Sequence, residues 1–75
     1  MKSSEKFFKG FYLLPDGRKS NEITEKTRKV LQPKIEKMAI EGMEISGSKY
    51  AHIFVFNHFD CLEYRYKINK NGEEI

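Results

Sequence analysis

The sequence predicts a two-layer α+β domain, an antiparallel sheet of three or four strands packed against one long, kinked helix in β-α-β-β order. Two patterns carry that expectation. Residues 50–68, YAHIFVFNHFDCLEYRYKI, alternate with period two on both sides of a short polar break, as a β-hairpin does. Upstream, Ile23, Thr27, Val30, Leu31, Ile35 and Met38 recur at helical spacing. At 100° per residue they fall within a stripe of about 140°, the width of one buried helix face.

The length, 75 residues, suits a single domain, 1–75, with one core. A chain this short buries only about 60% of the surface its unfolded form exposes, so its stability is expected to be small or supplemented by self-association. Six Phe and four Tyr, with no Trp, are the main core material.

Residues 1–5, MKSSE, are expected to fray. Phe7 to Leu14, FFKGFYLL, is rich in strand formers and stops at Pro15-Asp16-Gly17, a turn in which Pro presets φ and Gly takes the conformation other residues avoid. Gly10 inside that run marks a bulge or a close approach of another backbone. The alternative for this segment is a helix or an irregular cover over the sheet.

The helix is expected over 21–41, with Ser20 or Asn21 as N-cap and Glu22 and Glu25 in the first turn, where the helix dipole favours acids. Glu22–Lys26 and Glu25–Lys29 would be favourable i,i+4 pairs, and Gly42 would supply the stop. Pro33 removes the hydrogen bond to the Lys29 carbonyl. The apolar stripe keeps its phase across it, so one kinked helix is expected rather than two short ones. Residues 43–46 could form a short extended piece before a turn at Ser46-Gly47-Ser48. Strands follow at 50–57 and 61–68, and Asn69-Lys70-Asn71-Gly72 is a turn from which 73–75 could fold back.

If Asn57-His58-Phe59-Asp60 is a four-residue loop, Phe56 faces Cys61, Val55 faces Leu62, Ile53 faces Tyr64 and Ala51 faces Tyr66. Ala51, Ile53, Val55, Leu62, Tyr64, Tyr66 and Ile68 then share the face turned to the helix. The opposite face carries Tyr50, His52, Phe54, Phe56 and Cys61 beside Glu63, Arg65 and Lys67. One helix covers only one side of a sheet, so this second face is left open unless the N-terminal segment or a second copy packs there.

That face carries the functional expectation. Tyr50, His52, Phe54, Phe56, Arg65 and Lys67 are the candidate binding residues of a small non-enzymatic binding or regulatory module that docks on a protein partner, since Phe, Tyr and Arg are typical of interface centres. The alternative is a module for single-stranded nucleic acid, in which aromatics stack bases and basic groups hold phosphates. A weak homodimer through the same face, disrupted by Phe54→Glu, is the expected self-association.

Charge permits either class of partner. The net charge is +3, with ten Lys/Arg against five Asp/Glu in residues 1–40 and four against six in residues 41–75. Eleven Lys against three Arg, with plentiful Ile, Asn, Phe and Tyr, suggest an AT-rich coding sequence and hence a bacterial or phage accessory protein.

Other chemistry finds little footing. His52, His58, Asp60 and Cys61 cluster in sequence, yet one Cys and two His lack the paired spacing of a structural zinc site. Cys61 and His58 could pair across the turn as thiolate and imidazole, but nothing upstream offers an oxyanion hole. The five glycines are scattered and form no phosphate loop. No catalytic residue, metal or cofactor is therefore expected. A lone cysteine fits a reducing cytoplasm, acting there as a half-buried small hydrophobe. No apolar run reaches the ~20 residues of a membrane-spanning helix. Lys9 and Gly10 interrupt the apolar stretch near the start, so no signal peptide is expected.

Overall fold

The computed structural model of the chain describes residues 7–75, so the expectation of a frayed 1–5 lies outside the described residues. The chain runs β1 (Phe8–Leu13), β2 (Ile23–Glu25), α1 (Arg28–Ser46), β3 (Tyr50–Phe56) and β4 (Leu62–Asn69). The strands form one antiparallel sheet in the order β2-β1-β3-β4, with α1 packed across one side. This is the expected two-layer α+β fold with one added short strand before the helix.

β1 sits in the middle of the sheet, so residues 8–13 are neither a helix nor a cover. Gly10 is the expected close approach. A Cβ there would stand 2.4 Å from the Phe54 carbonyl oxygen of β3 and 2.6 Å from Ile35 Cδ1 of the helix. Beyond β1 the Pro15-Asp16-Gly17 turn closes as expected, with the Gly17 amide donating to the Leu14 carbonyl at 3.0 Å. The chain then returns along β1. The Ser20 amide donates to the Tyr12 carbonyl at 3.0 Å, while the Tyr12 amide donates to Ser20 Oγ at 3.0 Å.

That return displaces the start of the helix by seven residues. Ile23 and Thr24, both β-branched, pair with Gly10 and Lys9 as β2, giving β1 a partner on its outer side. Ser20 and Asn21 therefore cap nothing. Thr27 is the N-cap, its Oγ1 accepting from the Val30 amide at 3.3 Å. Glu22 and Glu25 lie outside the helix, and Glu25 pairs with Lys34 rather than Lys29.

The far end of the helix moves by five residues. Gly42 does not stop it: the glycine lies inside α1, where a Cβ would meet the Tyr12 hydroxyl at 2.6 Å. Residues 43–46 are helical, not extended. The stop is Gly47, at φ +77°, whose amide donates to the Met43 carbonyl at 2.8 Å; that left-handed conformation is cheap only for glycine. Pro33 stays inside one helix, exposed to solvent.

The buried ridge of α1 is Leu31, Ile35, Ala39 and Met43, an unbroken i,i+4 series. It meets Leu14, Ala51, Ile53, Val55 and Ile68 to make the core. Val30, expected on this ridge, is 46% exposed, and Met38 is half-buried. The stripe read from sequence was centred too early because it counted Ile23 and Thr27 as helical.

The β3–β4 hairpin keeps the expected face parity but shifts its register by two. Ala51 opposes Ile68, Ile53 opposes Tyr66 and Val55 opposes Tyr64. The cause is the loop. Asn57 Oδ1 accepts from the Phe59 and Cys61 amides at 2.9 and 3.1 Å, Asp60 takes φ +64°, and the Asn57 amide donates to the Cys61 carbonyl. The loop thus spans five residues, and an irregularity at Val55/Phe56 pairs Phe56 with Leu62. Leu62 and Tyr64, expected in the core, are 48% and 43% exposed. Past Asn69 the turn closes as expected, and the Ile75 amide donates to the Lys67 carbonyl at 2.9 Å.

Tyr66 anchors β4 to the helix. Its hydroxyl donates to Glu36 Oε2 at 2.7 Å and accepts from Gln32 Nε2 at 3.2 Å. Burial and then the bond to Glu36 raise its pKa above the ordinary phenol value. Because the folded-state value is the higher one, the stabilisation is complete below the unfolded-state pKa of about 10 and is lost as pH rises above it. The expected result is that the denaturation midpoint of Tyr66→Phe falls less between pH 8 and pH 11 than that of the wild type. Equal falls would show that Tyr66 does not carry this linkage. At pH 8 the substitution is expected to cost about 0.5–1.5 kcal/mol.

Candidate docking face

The side of the sheet away from α1 is built by alternation along β1, β3 and β4. Gly10 points at Ile35, so Lys9, Phe11 and Leu13 point the other way. Ala51, Ile53 and Val55 are buried under the helix, so Tyr50, His52, Phe54 and Phe56 lie on the opposite side. Cross-strand pairing brings these sets together: Lys9 opposes Phe56, Phe11 opposes Phe54 and Leu13 opposes His52. On the other flank His52 opposes Lys67 and Phe54 opposes Arg65. All six residues singled out from sequence therefore share one face.

Phe11 completes the arrangement. Its ring stacks on Phe54 at 5.1 Å and 24°, and on Phe56 at 5.8 Å and 25°. His52 continues the row, 6.2 Å from Phe54 edge-on and 5.7 Å from Tyr50. Five rings thus run across β1 and β3 without a break. All five are half-buried, and no strand or helix among the described residues lies over them.

Cations line the row. Lys19, bridged to Leu13 after the Pro15 turn, holds its Nζ 4.4 Å above the Phe11 ring, and Lys67 Nζ sits 5.2 Å above Tyr50. Sequence reasoning missed Phe11 and Lys19. The period-two pattern of β1 contained Phe11, but only the strand order shows that β1 lies beside β3.

Glu63, expected on this face, is not there. The irregularity near the hairpin tip turns its carboxylate to Arg28 of the helix, at 3.0 Å, and the same guanidinium donates to the Tyr64 hydroxyl at 2.7 Å. Glu25 and Glu36 also bond on the helix side, to Lys34 and Tyr66. Of the acids near the face, Asp60 and Glu22 gather at the Lys9 corner, and Glu73 lies at the Tyr50 end, where its carboxylate accepts from Asn69 Nδ2 at 3.1 Å. A hydrogen bond and charge attraction from Asp60 hold the Lys9 ammonium above its ordinary pKa. Away from that corner, Lys19, Arg65 and Lys67 have no carboxylate partner among the described ion pairs.

The remaining chemical candidates are dispersed. Cys61, expected beside the aromatic face and half-buried, is exposed in the loop with its Sγ 3.8 Å from the Phe59 carbonyl. His58 leans on Phe59 at 4.1 Å and meets Phe8 edge-on at 6.5 Å. Among the described residues no three His, Cys, Asp or Glu side chains gather as metal ligands. No described helix is long and apolar enough to cross a membrane.

Protein-family models, curated proteins and solved structures yield no match to this chain. The face must be interpreted from its own chemistry.

Proposed function

We propose that the chain is a non-enzymatic binding module whose working surface is the open face of the sheet, and that its partner, protein or nucleic acid, is anionic where it docks. The observation that carries this reading is the segregation of charge. Glu25, Glu36 and Glu63 bond on the helix side, whereas Lys19, Arg65 and Lys67, on the aromatic face, form no ion pair with any of the described residues. A face built only to be solvated has no need of five contiguous rings. One built only for apolar packing does not benefit from three cations with no carboxylate partner among the described residues.

Retention on an immobilised anionic polymer such as heparin tests this. Lys19→Glu/Lys67→Glu reverses charge on the face, and Lys29→Glu/Lys37→Glu makes the same net change on the exposed side of α1. The face variant is expected to elute at distinctly lower salt than the wild type, with the helix variant close to wild type. If both variants elute together, retention follows net charge alone and the docking surface is not this face.

A further inference from the structure

Resting on that reading, we propose that the face holds single-stranded nucleic acid, with bases stacked along the row from Phe56 to Tyr50 and phosphates held by Lys19, Arg65 and Lys67. The partner must bring negative charge to the flanks and flat, polarizable groups to the centre. A single strand offers both at every residue, because each base has a π-face and each link a phosphate.

The spacing suits that occupant. Successive centroids in the ring row lie 5.1–6.2 Å apart. The cations stand at its two sides, Lys19 beyond β1 and Arg65 and Lys67 on β4. Two of the rings already receive a cation, Phe11 from Lys19 and Tyr50 from Lys67. A base arriving on such a ring replaces an exposed ammonium contact with stacking, and the displaced lysine is free to reach the adjoining phosphate.

Duplexes fit poorly, since their bases are stacked internally and cannot lie on a sheet. A second copy fits poorly too: a symmetric pair would set Lys19, Arg65 and Lys67 of one chain against the same cations of the other. An acidic polypeptide satisfies the charge but leaves the rings without flat partners.

The experiment is an NMR titration of the labelled protein with four probes: a short oligothymidylate, an abasic strand of equal length, a blunt duplex and polyglutamate. Oligothymidylate is expected to shift the amides of β1, β3 and β4 and to bind at least about tenfold more tightly than the abasic strand or polyglutamate. Its affinity should fall with salt at a log–log slope near −2, as for about three phosphates on a single strand. Phe54→Leu keeps an apolar side chain on the outer face while removing the ring, and it should erase the preference over the abasic strand. Lys19→Gln/Lys67→Gln should flatten the salt slope.

Equal affinity for the thymidylate and abasic strands, or tighter binding of the duplex or polyglutamate, overturns the nucleic-acid proposal while leaving the face as a docking surface. Concentration-dependent shifts of the same amides without any probe identify a second copy as the occupant and likewise overturn it. No shift on this face with any anionic probe overturns both readings.

Discussion

Gly10→Ala is expected to destabilise the fold by about 1–3 kcal/mol, the range for forcing atoms into a filled core. The new Cβ would stand 2.4 Å from the Phe54 carbonyl oxygen and 2.6 Å from Ile35 Cδ1. The first obstacle is backbone in the adjacent central strand and cannot rotate away. The sheet and helix would have to part locally, where β1, β3 and α1 converge. With a urea m-value of about 1 kcal/mol/M for so small a chain, the midpoint should fall by about 1–3 M. Gly42→Ala is the internal comparison. Its Cβ meets the hydroxyl end of half-buried Tyr12, 2.6 Å from the oxygen and 3.0 and 3.1 Å from two ring carbons, so the obstacle is the outer end of a side chain and not backbone. Alanine in a helix interior also recovers up to about 1 kcal/mol of propensity, so this variant should stay within about 1 kcal/mol of the wild type. A Gly10→Ala midpoint equal to that of the wild type would refute the close approach.

Ile35→Ala should cost more, about 2–5 kcal/mol, because a fully buried side chain at the centre of the helix ridge would leave a cavity. Small domains lie near the lower end of the usual 5–15 kcal/mol of total stability, so a substantial unfolded fraction at 25 °C is the expected result. Circular dichroism during urea titration reads it directly. The two sites touch, so they should couple: in Gly10→Ala/Ile35→Ala the new methyl meets only the Phe54 carbonyl. The combined loss should fall short of the sum by about 0.5–3 kcal/mol. Strict additivity would mean that the helix does not press on β1 at Gly10.

The candidate face was partly legible in the sequence for a simple reason. Strand alternation is a local property, so Tyr50, His52, Phe54 and Phe56 could be assigned to one side and Ala51, Ile53 and Val55 to the other without knowing any neighbour. The assignment of Arg65 and Lys67 survived a two-residue error in register because an even shift preserves faces. Glu63 did not survive, because an irregularity breaks that parity, and the loop that causes it depends on Asn57 and Asp60 acting together.

The helix boundaries were misread where local and tertiary signals compete. Ser20, Asn21, Glu22 and Glu25 resemble a helix start, and in isolation their propensities support one. The outer edge of β1 offers backbone partners to Ile23 and Thr24, and sheet pairing prevails. At the other end Gly42 resembled a stop because glycine is a poor helix former. Its place against Tyr12 shows a packing role instead, while Gly47, at positive φ, is the terminator.

By itself the sequence determined the two-layer α+β class, the closing hairpin with its two faces and the turn after Leu14. Each follows from periodicity or from backbone sterics that a short window contains. Tertiary structure alone decided that β1 lies between β2 and β3, that Phe11 and Lys19 therefore join the aromatic row, and that Glu63 leaves it for Arg28. The first two depend on which strand edges find partners, which is set by contacts between segments far apart in the chain. The third depends on how a five-residue loop closes around Asn57 and on a helix residue, Arg28, waiting to receive the displaced carboxylate.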